Sequence, residues 1–294
     1  MEEVLQQVIN GLSQGSIYAL IALGYTMVYG IIQLINFAHG DVYMIGAFVG
    51  YFSMTSFHMG FVEALITAMA VCTVLGVTIE RIAYRPLRNS PRIAVLITAI
   101  GVSLILEYTM MYFFGASVRS YPPQSAFMSG SFNVHGVVIK NMQVVIIGIS
   151  VTLMLILQYI VKRTKVGKAM RAVSQDAEAA RLMGINVDTT ISLTFALGSA
   201  LAGAAGVLVG VYYNSINPLM GIMPGLKAFV AAVFGGIGLI PGALIGAYVI
   251  GLLETGVAAL GYSLFRDGVV FAVLIIVLIV KPTGLLGKNT KEKV

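Results

Sequence analysis

Between Arg92 and Lys162 the chain carries two apolar runs, 93–114 and 142–161, each about 20 residues long and free of Lys and Arg. A helix of that length crosses a ~30 Å hydrocarbon core at ~1.5 Å per residue. Seven more apolar runs occur, 12–34, 42–57, 61–80, 189–213, 225–240, 242–262 and 267–281, some of them only 15–16 residues long. With 58% hydrophobic and only 10% charged residues, the chain lacks the polar surface a water-soluble domain needs to cover its core. A soluble enzyme, a disordered chain and a disulfide scaffold are therefore excluded. The expected fold is all-α, a polytopic transmembrane bundle of about 8–10 spans with broken helices, forming one membrane domain over residues 1–294.

The basic residues order these spans. Fourteen of the 18 Lys and Arg fall in three clusters, 81–92, 162–181 and 281–294. Lys and Arg flanking spans are retained on the cytoplasmic side, so all three clusters belong inside. The net charge of +6 is thus a topology signal and not a nucleic-acid surface. Parity then puts 115–141 outside, the C-terminus inside and the N-terminus outside. The acidic Glu2 and Glu3 agree, and they argue against a cleaved signal peptide, whose first region is basic.

Two interruptions stand out. INFAHGD, 35–41, precedes a run of only 16 residues, 42–57, so Asn36, His39, Gly40 and Asp41 are placed at or below the membrane surface. Irregular backbone there is tolerated where protein or a wet cavity surrounds it. Asp41 reads as the N-cap of the following helix. The segment is either a break beside a translocation path or a tight turn. GGIGLIPGALIG, 235–246, offers the same pair of readings, with Gly235, Gly236 and Gly238 permitting unusual backbone and Pro241 opening a new helix. Short, Gly/Pro-broken segments mark pathways in transport proteins. Gly198, Ala202, Gly206 and Gly210 form a small-residue stripe for close helix packing, within the chain or between subunits. Glu107 and Glu254 lie inside spans and must face protein or water.

The longest polar segment, 162–188, is rich in helix formers and is read as one cytoplasmic loop with a short helix stopped by Gly184. Asp176, Glu178, Ala179 and Ala180 precede that stop. On composition alone it is a surface helix; with its paired alanines it is also a shape that fits a groove on another protein.

No G-x-x-x-x-G-K-[ST] occurs, so ATP binding by a P-loop is not expected. His39, His58 and His135 show no metal-ligand spacing, and neither a metal nor an organic cofactor is implied. Cys72, the one cysteine, sits in an apolar run and reads as packing.

The E-A-A-x-x-x-G segment at Glu178–Gly184 resembles the coupling motif of ATP-binding-cassette importer permeases. Together with INFAHGD, GGIG followed by P-G-A, and the closing KPTGLLG (281–287), it is similar to the branched-chain amino acid branch of that superfamily, and within it to the smaller permeases of leucine/isoleucine/valine importers. The likeness runs from Gly15 to Gly287. It implies a non-enzymatic transport subunit of the bacterial inner membrane working by alternating access. The implied partners are a second related permease, two cytoplasmic ATPases, an external solute-binding protein, membrane lipid and an amino acid substrate. Related permeases handle urea, short amides or sugars. A self-contained proton- or sodium-coupled carrier using Asp41, Glu107 or Glu254 is the alternative from another class; an intramembrane enzyme lacks any visible nucleophile–base pair.

The charge parity has a direct test. Single cysteines at Asn133 and Lys165, in a Cys72→Ala background, are expected to label from opposite sides of the membrane. Labelling from the same side would refute the assignment of 115–141 and 162–188 to opposite faces.

Overall fold

The computed structural model describes residues 2–88, 90–123, 126–134 and 136–287. His135 and the C-terminal Lys288, Lys291 and Lys293 lie outside the described residues. The chain is an all-α bundle with one small hairpin. Among the described residues, seven helices are long and apolar enough to cross a membrane. They are α1 (Glu2–Ile32), α3 (Phe61–Ile79) with its continuation to Leu87, α4 (Arg92–Phe114), α6 (Asn141–Arg163), α9 (Val187–Tyr213), α11 (Ile240–Ala259), and α12 (Arg266–Val280) with the short turn before it. Two are shorter: α2 (His39–Thr55) and α10 (Ile222–Gly235). At ~1.5 Å per residue these reach only about 26 and 21 Å. A short α5 (Ala126–Ser129) precedes the hairpin of β1 (Ser131–Val134) and β2 (Val137–Lys140), paired antiparallel with Ser131 opposite Lys140. Between α6 and α9 lie α7 (Lys165–Gln175) and α8 (Ala177–Leu182).

Two ends of the bundle are distinct. At one, Arg85 and Arg88 from the end of α3 meet Asp188 at the start of α9. Nearby, the backbone of Leu285 donates to Phe234 at the end of α10. The three basic clusters, as far as they are described, gather here, and we call it the basic end. At the other end, Arg119 and Ile216 exchange backbone hydrogen bonds at 2.9 Å, and the hairpin's Val138 N–H donates to Gln6 near the start of α1. The stretch 115–141, expected only as a loop, holds this hairpin. Its turn is set by Gly136 at φ +85°, whose N–H donates to the Asn133 side chain at 2.9 Å.

The central helices are α1 and α9, packed against each other and against α2, α3 and α11. Contact there is backbone on backbone. A Cβ on Gly206 would stand 2.2 Å from the Tyr43 carbonyl oxygen, and one on Gly46 would stand 2.5 Å from Gly203 Cα. A Cβ on Gly198 would stand 3.2 Å from Gly24 Cα, and one on Gly210 would stand 2.4 Å from the ring of Tyr121. The small-residue stripe of α9 therefore packs inside the chain and not at a subunit interface. Cys72 is buried against it, its thiol 3.4 Å from the Val42 carbonyl. By contrast α4, α6 and α12 turn apolar residues such as Ile97, Ile105, Leu155 and Ile279 outward.

Three boundaries differ from the sequence reading. The helix expected at 225–240 is Ile222–Gly235. Pro224 falls in its first turn, where a missing N–H costs nothing, so it does not delay the helix. The helix ends early because Gly236 takes φ +107°. Asp41 is not an N-cap: Ala38 holds that position without a side-chain bond, and Asp41 is three residues further in. Finally, α3 does not end cleanly. Pro86 cannot donate to the carbonyl four residues back and its ring crowds it, so the backbone widens into a π turn at Glu80–Tyr84 and tightens again at Arg85–Leu87.

Gly206→Val would drive a branched side chain into the Tyr43 carbonyl, which has no rotamer to yield. A loss of at least ~1–3 kcal/mol is expected, read as a lowered thermal midpoint of the purified protein. Gly148→Ala on α6, where an added Cβ meets nothing within 4 Å, is the control expected to leave that midpoint unchanged or slightly raised.

Candidate functional site

Both short helices start inside the bundle. Beyond α1 the chain turns at Gln33, which adopts φ +52°, and runs irregularly to Ala38 before α2 begins. Beyond α9 it turns at Asn214, also φ +52°, and runs irregularly to Gly221 before α10 begins. The two helix starts touch. A Cβ on Gly40 would lie 2.5 Å from the Gly221 carbonyl oxygen, and one on Gly225 would lie 3.0 Å from Gly40 Cα. Gly40 is the residue of the 35–41 segment that has to be glycine. Gly225 stands ten residues above the basic end of α10, about 15 Å at ~1.5 Å per residue, which puts this junction near mid-membrane.

The structure brings Asn36, His39, Gly40 and Asp41 together here, all buried. His39 packs edge-on to Tyr25 with ring centroids 4.9 Å apart, and its Nε2 lies over Gly24 without a hydrogen-bond partner. Asp41 accepts a hydrogen bond from Ser103 of α4, one turn from the buried Glu107. Asn36 accepts from the Tyr84 hydroxyl at 2.8 Å, which joins the segment to the π turn of α3. Gly235, Gly236 and Gly238 lie elsewhere. They form the α10–α11 turn at the basic end, where Leu286 N–H donates to the Gly235 carbonyl at 3.1 Å and Gly236 abuts Gly287. The partner of the first break is the start of α10, which the sequence reading passed over.

Two ionic networks were also not foreseen. At the basic end, Glu80, with no side-chain exposure, accepts from Arg88 and from Ser192 of α9, while Arg88 and Arg85 both reach Asp188. Deeper in, Lys227 of α10 binds Glu254 of α11 at 2.7 Å and Asp267 of α12 at 2.6 Å, and Tyr18 of α1 donates to Glu254 at 2.8 Å. Four helices meet in that cluster. Lys227 was legible as the single cation inside an apolar run, the usual mark of a buried pair. Glu80 and Arg88 are separated from Asp188 by about 100 positions, and no local spacing reports that.

The polar loop folds as two helices and not one. Asp176 divides them, ending α7 and capping α8 by accepting from Glu178 and Ala179 N–H at 2.9 Å. Gly184 at φ +83° donates to the Arg181 carbonyl, and Ile185 to the Ala180 carbonyl, both at 3.0 Å, a double bond pattern that stops the helix firmly. Ala180 faces inward at 4% exposure, which corrects its assignment to the outer surface with Ala179. The exposed apolar tip is instead Leu182 and Met183, at 90% and 83%. Glu178 and Ala179 are exposed beside it.

Residues 7–278 match the family described as the permease component of the branched-chain amino acid transport system. The chain belongs to that permease family. It is 45% identical to the high-affinity branched-chain amino acid transport system permease protein LivH of Escherichia coli, over 99% of this chain and 97% of that one. It is 43% identical to the corresponding BraD protein of Pseudomonas aeruginosa, over 99% and 98%. The ribose import permease RbsC of Escherichia coli is 28% identical over 92% and 84%. A solved structure of PsaBC from Streptococcus pneumoniae in complex with Fab superposes with a TM-score of 0.50 at 12% identity, over 93% and 91%, a likeness of fold alone. The chain is thus a multi-pass membrane permease and not an enzyme. Among the described residues no group of three or more His, Cys, Asp or Glu is placed to hold a metal.

Removing one partner of a buried ion pair leaves the other uncompensated. Lys227→Met in this permease is expected to cost ~3–5 kcal/mol through Glu254, since Asp267 is half exposed and contributes little. Lys227→Met with Glu254→Gln should recover most of it. Thermal unfolding of the two variants side by side checks this; equal losses would show that the pair is not the source.

Proposed function

We propose that this permease forms one half of the pathway of an ATP-binding-cassette importer that moves branched-chain amino acids across a bacterial inner membrane. The partners are a second related permease, two ATPases and an external solute-binding protein. Its N-terminus lies outside and its basic end in the cytoplasm. Family membership supports the transport role, and the names of the LivH and BraD relatives support the substrate class.

The observation that carries the coupling role is the rigid, firmly capped tip of α8. Leu182 and Met183 are exposed at the basic end, uncovered by this chain. A large exposed apolar pair on a fixed helix end suits a groove on a partner. Asp176 and Gly184 define the helix, Ala180 seats it, and Glu178 and Ala179 flank the contact.

Alternating access follows if the tip moves with the ATPase. Five residues after Met183, Asp188 is ion-paired to Arg85 and Arg88, so displacement of the loop is delivered to the π turn of α3. From there Tyr84 reaches Asn36 and the start of α2. A change of state requires contacts that differ between the states, and this chain of polar contacts is where they would differ.

Leu182→Arg combined with Met183→Asp is expected to abolish ATPase co-purification and to lower leucine uptake by reconstituted vesicles at least tenfold, with membrane insertion intact. Gly184→Val, which strains a positive φ by ~1 kcal/mol or more, should weaken both less severely. Wild-type ATPase association in the double variant would remove α8 from the coupling role.

A further inference from the structure

Two carboxyl groups meet near mid-membrane with no cation against them. Asp41 is 2% exposed and Glu107 6%, and Glu107 stands one helical turn beyond Ser103, close enough for the two carboxyl groups to interact electrostatically. Ser103 donates to Asp41 Oδ2. Asp41 Oδ1 has no partner and is turned over Gly221, where an added Cβ would come within 3.0 Å of it. Among the described residues the ion pairs lie elsewhere, on Glu80, Asp188, Glu254 and Asp267. Two adjacent carboxylates in dry surroundings cannot both stay charged without a counter-cation. An acceptor aimed into the junction is therefore a place for a cation to arrive.

The surroundings select which cation. The starts of α2 and α10 both border the site, and helix starts favour negative charge. A species with positive and negative groups a few ångströms apart satisfies both features. Beside them stand the rings of Tyr25, Phe37 and Phe229, with Tyr25 6.0 Å and Phe37 5.9 Å from Phe229 between ring centroids. They offer an apolar wall to a branched side chain. A metal ion would want more oxygen ligands than two carboxylates and a hydroxyl, whereas an ammonium group with three N–H donors is matched by these acceptors.

We propose that Asp41, Glu107 and Ser103 receive the α-ammonium group of the amino acid in transit, with the first turns of α2 and α10 facing its carboxylate. This rests on the amino acid substrate proposed above. The site opens by movement of α4, which packs against the rest of the bundle chiefly through α2 and the π turn of α3. That π turn carries Glu80, the residue held by Arg88, so the element that covers the site is seated on the element that the coupling loop grips.

The test uses the complete transporter in lipid vesicles, with Ser103→Cys in a Cys72→Ala background. Aminoethyl methanethiosulfonate, which carries an ammonium, is expected to react at least tenfold faster than the sulfonate-bearing sulfonatoethyl reagent. Adding Asp41→Asn, or separately Glu107→Gln, should bring the two rates together. Leucine should slow the cationic reagent and isocaproate, which lacks the ammonium, should not. Equal rates for both reagents, no reaction in either the nucleotide-free or the nucleotide-trapped state, or a preference that survives both substitutions would overturn the cation site. A preference without protection by leucine, in vesicles whose unmodified transporter takes leucine up, would overturn the ammonium assignment. If the unmodified transporter takes up no leucine, it is the proposed substrate that fails.

Discussion

A helix that stops halfway through a membrane leaves backbone amides and carbonyls where no water can meet them. This permease contains two such stops, before α2 and before α10, and much of the remaining structure serves to keep them buried. The two starts are pressed together at Gly40, Gly221 and Gly225, so each covers the other. Around them stand α1 and α9, the most enclosed helices, with glycine contacts that bring backbones close enough to exclude lipid. Had either segment been an unbroken span, α9 would have no need to approach α2 so closely, and the polar residues 36–41 would have no protein to face.

The same constraint explains the ionic networks. Lys227 sits on the half-helix α10, too short to be held by hydrophobic matching at both membrane surfaces, and its ammonium ties that helix to α11 and α12 at once. A buried ion pair contributes little net stability against an apolar replacement of the same shape. Its value here is positional: Glu254 accepts from both Tyr18 and Lys227, so α1, α10 and α11 share one register.

The outline of the fold was legible in the sequence because hydropathy and basic clusters act locally. The spans 61–80, 93–114 and 142–161 agree with α3, α4 and α6 to within two residues at each end, π continuation aside. The interruption at 35–41 was legible for the same reason, being polar residues in an apolar run. What stayed hidden depends on contacts between distant positions. Asn214, Ser215, Asn217 and Pro218 read as an ordinary loop between two spans, and nothing local says that this loop dips back into the bundle to meet Gly40. Ala180 looks no different from Ala179 in a sequence; only the packing of α8 on α7 and α9 sends one inward and leaves the other exposed. In the Glu80–Arg88–Asp188 cluster the arginine reads in the sequence as a topology marker, and nothing local ties it to the two acids.

That cluster also gives the irregular end of α3 a reason. A regular helix through Glu80–Leu87 would be rigid and would hold Arg85 and Arg88 at fixed angles about the axis. Pro86 prevents it, and the π turn that results re-aims the last turn so that Glu80 faces inward to Ser192 while Arg85 and Arg88 face Asp188. A widened turn can move along a helix by exchanging hydrogen bonds residue by residue, a discrete change of the kind that two-state elements need. Tyr84 sits in this turn with its hydroxyl on Asn36 and its ring 5.2 Å from Phe195 of α9. Through Tyr84 the turn that Arg85 and Arg88 tie to Asp188 touches the break before α2, and Tyr84 and Asn36 are both buried. In the proposed coupling the widened turn therefore lies between the loop and the break, while glycine packing locks α1 and α9 together.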